Sequence, residues 1–168
     1  MKTMISLSLA LCLFTCCCRA QQVDNSTVSS LDLDRYLGEW YEIARFDHPF
    51  ERGMHHTKAF YELRDDGKVA VYNSGWKEGK AKISKGKAKL TDNPALLRVS
   101  FFGPFYSDYR VMHLDDNYQY VLVGSKSDKY LWILSRSPQL DELTKIKLVN
   151  EAGRRGYDVE ELIWVDHK

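Results

Sequence analysis

Glu42 is the residue whose chemistry most needs explaining. It stands in Gly38-Glu39-Trp40-Tyr41-Glu42-Ile43-Ala44-Arg45, a stretch with strand character. Alternate side chains of a strand share a face, so an inward Trp40 carries Glu42 and Ala44 inward with it. A carboxylate among apolar neighbours is costly unless paired or protonated. Glu42 is therefore either half of a buried polar contact or an acid/base in a cavity. Arg52, His55 and His56 fall in the long segment Asp47 to His56, where they could meet a polar headgroup or simply be solvated. His55 and His56 are adjacent rather than at i,i+2 or i,i+4, and His48, His113 and His167 are scattered, so neither a metal site nor a cofactor is read here. The chain has no Ser-His-Asp ordering, no Gly-x-Ser-x-Gly elbow and no phosphate-cradling glycine loop. All four cysteines, Cys12, Cys16, Cys17 and Cys18, lie within the first twenty residues, leaving the rest without a thiol nucleophile or a disulfide. No enzyme class is indicated; the alternative is a cavity enzyme that uses Glu42.

Residues 1–20 have the form of an export signal: Lys2, then an apolar run from Ile5 to Phe14, then small residues. A transmembrane helix needs about 20 apolar residues, more than this run supplies. Two processing routes remain open. Cleavage after Cys18-Arg19-Ala20 would release a soluble periplasmic or secreted protein beginning at Gln21. Leu13-Phe14-Thr15-Cys16 instead forms a loose lipobox that would leave Cys16 lipidated, and the run of three cysteines favours this route despite Thr15. Residues 21–30 then read as a polar tether and 31–168 as one domain. Of 24 basic residues, Lys2 and Arg19 belong to the signal, leaving 22 against 23 acidic, a balance that does not favour nucleic acid.

From Leu31 onward the chain reads as an all-β protein. Strand-like runs cover Glu39 to Phe46, Thr57 to Arg64, Lys68 to Trp76, Lys80 to Leu90, Leu96 to Phe102, Ser107 to Leu114, Tyr118 to Ser125 and Tyr130 to Ser135. Asp-, Asn- and Gly-rich turns separate them. Eight strands with tight connections predict an antiparallel up-and-down β-barrel. Ser137 and Pro138 then open a helix in which Leu140, Leu143, Ile146 and Val149 form the predicted stripe against the barrel. A short final strand follows at Glu161 to Val165. The Lys-rich stretch Lys77 to Lys89 reads as a solvated strand, with attraction to anionic lipid headgroups the weaker alternative.

A barrel of this size either fills itself or holds one small ligand. The supply of amphipathic rings favours a lined cavity over a dry core. Alternation and the supply of amphipathic rings together give an expected lining of Glu42, Ala44, Tyr61, Val71, Trp76, Val99, Phe101, Tyr109, Tyr120, Trp132 and Leu134.

Gly38-Glu39-Trp40-Tyr41-Glu42-Ile43-Ala44-Arg45 resembles the first lipocalin signature, Asn117 to Val123 a loosened second, and Trp132-Ile133-Leu134-Ser135-Arg136-Ser137-Pro138 the third. His48-Pro49-Phe50-Glu51-Arg52-Gly53 and Val99 to Tyr106 resemble segments of the bacterial outer-membrane and apolipoprotein D-like branch. The resemblance runs from about Leu31 to Val165. It implies barrel closure by Gly38, Trp40 and Arg136, with the Arg136 guanidinium across the indole and bonded to carbonyls near Asp34 to Tyr36. It also implies a fatty acid or lysophospholipid ligand, membrane attachment through the lipidated N-terminus at the periplasmic face of the outer membrane, and a possible homodimer.

Overall fold

A sheet becomes a barrel only when its last strand finds its first. In the computed structural model, which describes residues 23–168, eight antiparallel strands do so. They are β1 (Gly38–Arg45), β2 (His55–Leu63), β3 (Val69–Lys77), β4 (Lys80–Lys89), β5 (Leu96–Phe102), β6 (Phe105–Leu114), β7 (Tyr120–Gly124) and β8 (Leu131–Ser135). Each pairs with the next, β8 returns to β1, and β1 also pairs with β2. Closure removes the exposed edges an open sheet would leave. The expected signal segment and Cys16 lie outside the described residues.

Turn chemistry sets where the strands reverse. Glu78 and Gly79, at φ +52° and +70°, join β3 to β4 in a two-residue turn whose left-handed backbone conformation suits glycine. Tyr118, expected within a strand, adopts φ +59° in the β6–β7 turn instead, and its hydroxyl accepts from the Asp32 N–H at 2.9 Å. A single helical turn, α1 (Leu33–Tyr36), capped by Asp32, leads into β1 at the sealed end of the barrel. Successive strands alternate in direction, so the loops after β1, β3, β5 and β7 crowd the opposite end, the mouth.

After β8 come α2 (Glu142–Arg154), a 3₁₀ turn at Val159–Glu161 and the short strand β9 (Ile163–Trp164). The mouth-side end of β1, Ala44 and Arg45, pairs with Trp164 and Ile163, while β2 pairs only with Gly38 to Tyr41. The C-terminal tail bridges the remaining gap, the His56 N–H donating to the Asp166 carbonyl at 2.8 Å.

Two cores result. One fills the barrel; the other joins its outer wall to α2 through Ile43, Ala44, Phe46, Leu122, Leu131, Ile133, Leu148 and Ala152. The helix differs from its predicted form. Asp141, not Ser137, caps it, accepting the Thr144 N–H at 3.0 Å. Leu143 and Ile146 are exposed, and Leu148 and Ala152 face the barrel. Steps of three residues fall about 60° short of a full circle, so a strict i+3 series winds off any one face. The i,i+4 pair stays on it.

The segment expected as a tether is bonded to the wall from Val23 on. Asp24 N–H donates to Arg155 O at 2.8 Å, Asn25 Nδ2 to Lys126 O at 3.1 Å and Val28 N–H to Val111 O at 2.9 Å. Polar composition permits this docking because the bonds come mainly from the backbone rather than from apolar side chains.

Candidate ligand site in the barrel

Trp40 is completely buried at the sealed end, and its indole N–H donates to Tyr36 O at 2.8 Å. The Arg136 guanidinium lies 3.9 Å from the Trp40 ring and donates to the carbonyls of Arg35, Tyr36, Leu37 and Glu39 at 2.7–3.1 Å. One planar cation thus satisfies the carbonyls that α1 leaves orphaned while covering an aromatic face. Gly38 permits this turn at φ +92°, a conformation that L side chains rarely adopt, with Arg136 Nη1 in ordinary contact distance of where a Cβ would stand.

Above this plug, three phenols share their protons: Tyr109 Oη lies 2.6 Å from Tyr36 Oη and 2.9 Å from Tyr61 Oη. Burial pushes all three upward from the usual tyrosine range, so they remain neutral. With Leu33, Leu37, Val69, Ala88, Leu97 and Val99 they line a void of about 10 Å³, room for about one water. Val71 and Leu134 are buried in the same core, with Phe101 and Trp132 packed against it. A Cβ on Gly86 would come within 2.8 Å of the Phe101 ring, so this glycine leaves the space that Phe101 occupies.

Three expected lining residues point outward. A β-bulge shifts the β1–β8 register between Glu42 and Ala44, so Glu42 faces Leu134 within the barrel while Ala44 pairs with Ile133 in the outer core. Tyr120 precedes Val121, which pairs with inward Leu134; alternation turns Tyr120 outward, where its hydroxyl accepts from Lys147 Nζ at 3.0 Å. Trp76 stands five residues beyond inward Val71, an odd spacing that places it on the outer rim, exposed.

The bulge that expels Ala44 turns Arg45 inward. Arg45 is 2% exposed; its Nη1 donates to Glu42 Oε1 at 2.5 Å, and Nη2 to the carbonyls of Glu51 and Met54 at 2.8 and 3.2 Å. Those carbonyls belong to the β1–β2 loop, so a buried guanidinium straps that loop over the mouth. Glu51 also folds inward, with Oε2 2.9 Å from His48 Nε2 and 3.4 Å from the Trp132 indole nitrogen. Burial, reinforced by the negative Glu51, pushes Glu42 up to about 8 despite Arg45. Burial also works to raise Glu51, but its contact with the His48 ring, with further bonds from Glu42 and Trp132, holds it below the usual carboxylate range. Near neutral pH, Glu42 therefore keeps its proton and Glu51 carries the charge opposite Arg45.

Thr57 Oγ1, Asn73 Oδ1, Arg45 Nε and His48 Nδ1 are buried without a hydrogen-bond partner. Thr57 and Asn73 project from the inner face of β2 and β3, beside Glu42 on β1. The interior is thus two-sided: polar at Glu42, Arg45, Thr57 and Asn73, toward the mouth on β1–β3, and mainly apolar elsewhere, Val69 and Val71 of β3 included. Thr57 and Asn73, in phase with inward Tyr61 and Val71, were absent from the expected lining, and Arg45, His48 and Glu51 lay beyond alternation because a bulge and a loop place them. The demand of a buried Glu42 for a nearby cation was the signal for Arg45. Of the expected rim residues, Arg52 pairs at the surface with Asp47 at 2.7 Å, and His55 and His56 pack against each other beside the C-terminal tail.

An eight-stranded up-and-down barrel, plugged by a Trp–Arg pair and flanked by a C-terminal helix, defines a lipocalin-type protein. The sequence agrees: residues 31–167 match the lipocalin-like domain, and the chain belongs to the lipocalin family, whose members bind small hydrophobic ligands. It is 49% identical over 144 residues to the outer membrane lipoprotein Blc of Escherichia coli K12, covering 83% of this chain and 81% of that protein. It is 37% identical to temperature-induced lipocalin-1 of Arabidopsis thaliana, covering 84% and 82%. Among solved structures, insecticyanin of the tobacco hornworm Manduca sexta superposes with a TM-score of 0.70 at 25% identity, over 85% of this chain and 84% of that one.

Proposed function

We propose that this chain is a non-enzymatic carrier that holds a fatty acid or lysophospholipid in the barrel. On this reading it is exported and held at the periplasmic face of the outer membrane through an acylated Cys16. The two-sided interior carries the proposal: an apolar wall of Val71, Val99, Phe101 and Leu134 for the chain, and beside it partnerless polar atoms on Thr57 and Asn73 for the polar end. Each methylene removed from water contributes about 0.8 kcal/mol, so the tail supplies most of the affinity and selectivity is loose. Ligand pockets of lipid size occupy roughly 300 Å³ or more. Entry of a chain therefore requires the strapped loop, Phe101 and Trp132 to move aside. The anchor rests on the lipobox-like sequence and on the similarity to a protein named an outer membrane lipoprotein.

Titration of delipidated protein with a long-chain fatty acid or lysophospholipid should change Trp132 emission saturably. Absence of a saturable response to any such lipid refutes the carrier. Mass spectrometry of the N-terminal peptide from native membranes decides between an acylated Cys16 and a free Gln21.

The buried, protonated Glu42 favours a second reading, a cavity enzyme with Glu42 as general acid. Recovery of every bound lipid chemically unchanged after prolonged incubation, in wild type and in Glu42→Gln alike, excludes it.

A further inference from the structure

The mouth of the barrel carries large apolar side chains that the fold leaves uncovered. Phe50 on the β1–β2 loop is 68% exposed, and Phe102 and Phe105, which flank the β5–β6 turn, are 68% and 78% exposed. Phe50 and Phe102 stand 6.5 Å apart between ring centroids, so loop and hairpin present one patch. Trp76, turned out of the cavity, adds an exposed indole on the rim beside the β3–β4 turn. Alternation explains Trp76; the three phenylalanines stay exposed among the described residues although Phe50 touches His48 and Phe102, and exposed apolar clusters of this kind mark interaction surfaces.

Charge identifies the partner. The mouth-side strand ends and loops carry Lys77, Lys80, Lys82, Lys126 and Lys129 against Glu78 and Asp128, while Arg52 and Asp47 cancel each other. The sealed end carries Asp32, Asp34, Asp65, Asp66, Asp92, Asp115 and Asp116 against Arg35, Arg64, Lys68 and Arg136. The barrel is therefore basic at its apolar end and acidic at its sealed end. An anionic surface with an apolar interior complements that pattern; a second copy meeting mouth to mouth would oppose lysine to lysine.

The path of the N-terminal segment agrees. Asn25 bonds to Lys126 in the β7–β8 mouth loop, and from there the chain runs down the wall to Asp32 at the sealed end. Val23 therefore leaves the wall on the mouth side. On the reading of Cys16 given above, its acyl group lies seven residues before Val23, a reach of at most about 25 Å. Such an anchor holds the mouth, rather than the plug, close to the bilayer.

We infer that the rim formed by Phe50, Phe102 and Phe105, with its surrounding lysines, docks mouth-first on an anionic lipid bilayer. The phenylalanines enter the headgroup region and the lysines pair with lipid phosphates, so the cavity opens onto the surface from which an acyl ligand would come. The docking surface does not require the anchor.

The test uses the chain from Gln21 onward, which retains every described residue and carries no acyl group. It should float with phosphatidylcholine vesicles containing roughly a third phosphatidylglycerol, and about tenfold less with phosphatidylcholine alone or at high salt. The triple variant Phe50→Ser/Phe102→Ser/Phe105→Ser should lose vesicle binding by about tenfold or more while keeping its circular dichroism spectrum. Because this chain has no cysteine, a polarity-sensitive dye on Phe105→Cys reports the mouth and one on Asp65→Cys the sealed end; only the first should shift blue on adding vesicles. Wild type that stays with the buffer, a triple variant that floats equally well, a blue shift at position 65, or a dimer that buries the phenylalanines overturns the proposal. Vesicle binding without any saturable response to monomeric acyl ligand would instead leave docking intact and refute the carrier.

Discussion

Replacing Glu42 by Gln should remove a pH dependence of stability that the wild type owes to one buried carboxyl. In the unfolded chain this group ionises near 4.5; in the barrel, burial and the neighbouring Glu51 push it up to about 8. Between those values the folded protein keeps a proton that the unfolded chain releases. The folded state binds more protons, so stability falls as pH rises, by up to about 1.4 kcal/mol per pH unit. From about pH 5 to pH 7.5 the loss approaches 3 kcal/mol, with an upper bound of about 5 kcal/mol above pH 8. Glu51 acts with the opposite sign, but in a lower range, because its stabilisation disappears only as pH falls through its depressed folded value. Burial lowers the His113 value, which also opposes the trend, yet His113 is common to both proteins and cancels in the difference. Gln keeps the volume and an oxygen for Arg45 Nη1 but cannot ionise. Urea unfolding of wild type and Glu42→Gln at intervals across about pH 5 to 8 should show the variant gaining on the wild type as pH rises. A difference that stays within about 0.5 kcal/mol, or that runs the other way, refutes the assignment of a raised Glu42.

Arg136→Ala should cost about 3 kcal/mol in chemical denaturation, since it orphans several carbonyls and uncovers Trp40; Arg136→Lys should recover little, as an ammonium cannot reproduce the planar fork. On α2, Leu148→Ala should cost about 2–5 kcal/mol and Ile146→Ala less than about 0.5, the reverse of what the i+3 stripe implies; thermal melts of the two variants decide. Gly86→Ala should lower stability by about 1–3 kcal/mol and alter acyl-ligand affinity together, because its Cβ meets the Phe101 ring at 2.8 Å; unchanged ligand titration would remove Phe101 from the site.

Alternation carried the reading a long way because most strands keep a constant phase. Inward Trp40, Tyr61, Val71, Val99, Tyr109, Trp132 and Leu134 all follow from spacing within their own strands. It failed where phase is set between strands. Nothing in Glu42-Ile43-Ala44-Arg45 announces the bulge, which appears only once β1 is laid against β8. Tyr120 shows the same limit: its face is fixed by the pairing of Val121 with Leu134, not by its chemistry. Trp76 is a different failure, since residue type was allowed to override an odd spacing from Val71. The loop residues His48 and Glu51 have no period at all, and their burial follows only from the distance over which Arg45 can reach back to the loop.

The two ends of the barrel are held by chemically different means, and this bears on which one opens. Arg136 closes the sealed end with a permanent cation on backbone carbonyls and an indole, partners that do not titrate near neutral pH. Arg45 also bonds to backbone carbonyls, but its side-chain partner Glu42 shares a small buried space with Glu51 and His48, where gain or loss of one proton changes the net charge of the cluster. Ionising Glu42 would place two carboxylates beside one guanidinium in a low-dielectric pocket, an arrangement that hydration relieves. Water reaches that pocket most directly by lifting the β1–β2 loop. The opening that admits a ligand and the event that hydrates Glu42 are then the same displacement. Ligand association should therefore quicken as pH rises toward 8 in wild type and lose that dependence in Glu42→Gln, which stopped-flow measurement of Trp132 emission would show. An equal pH dependence in the two proteins would mean that the loop opens independently of Glu42.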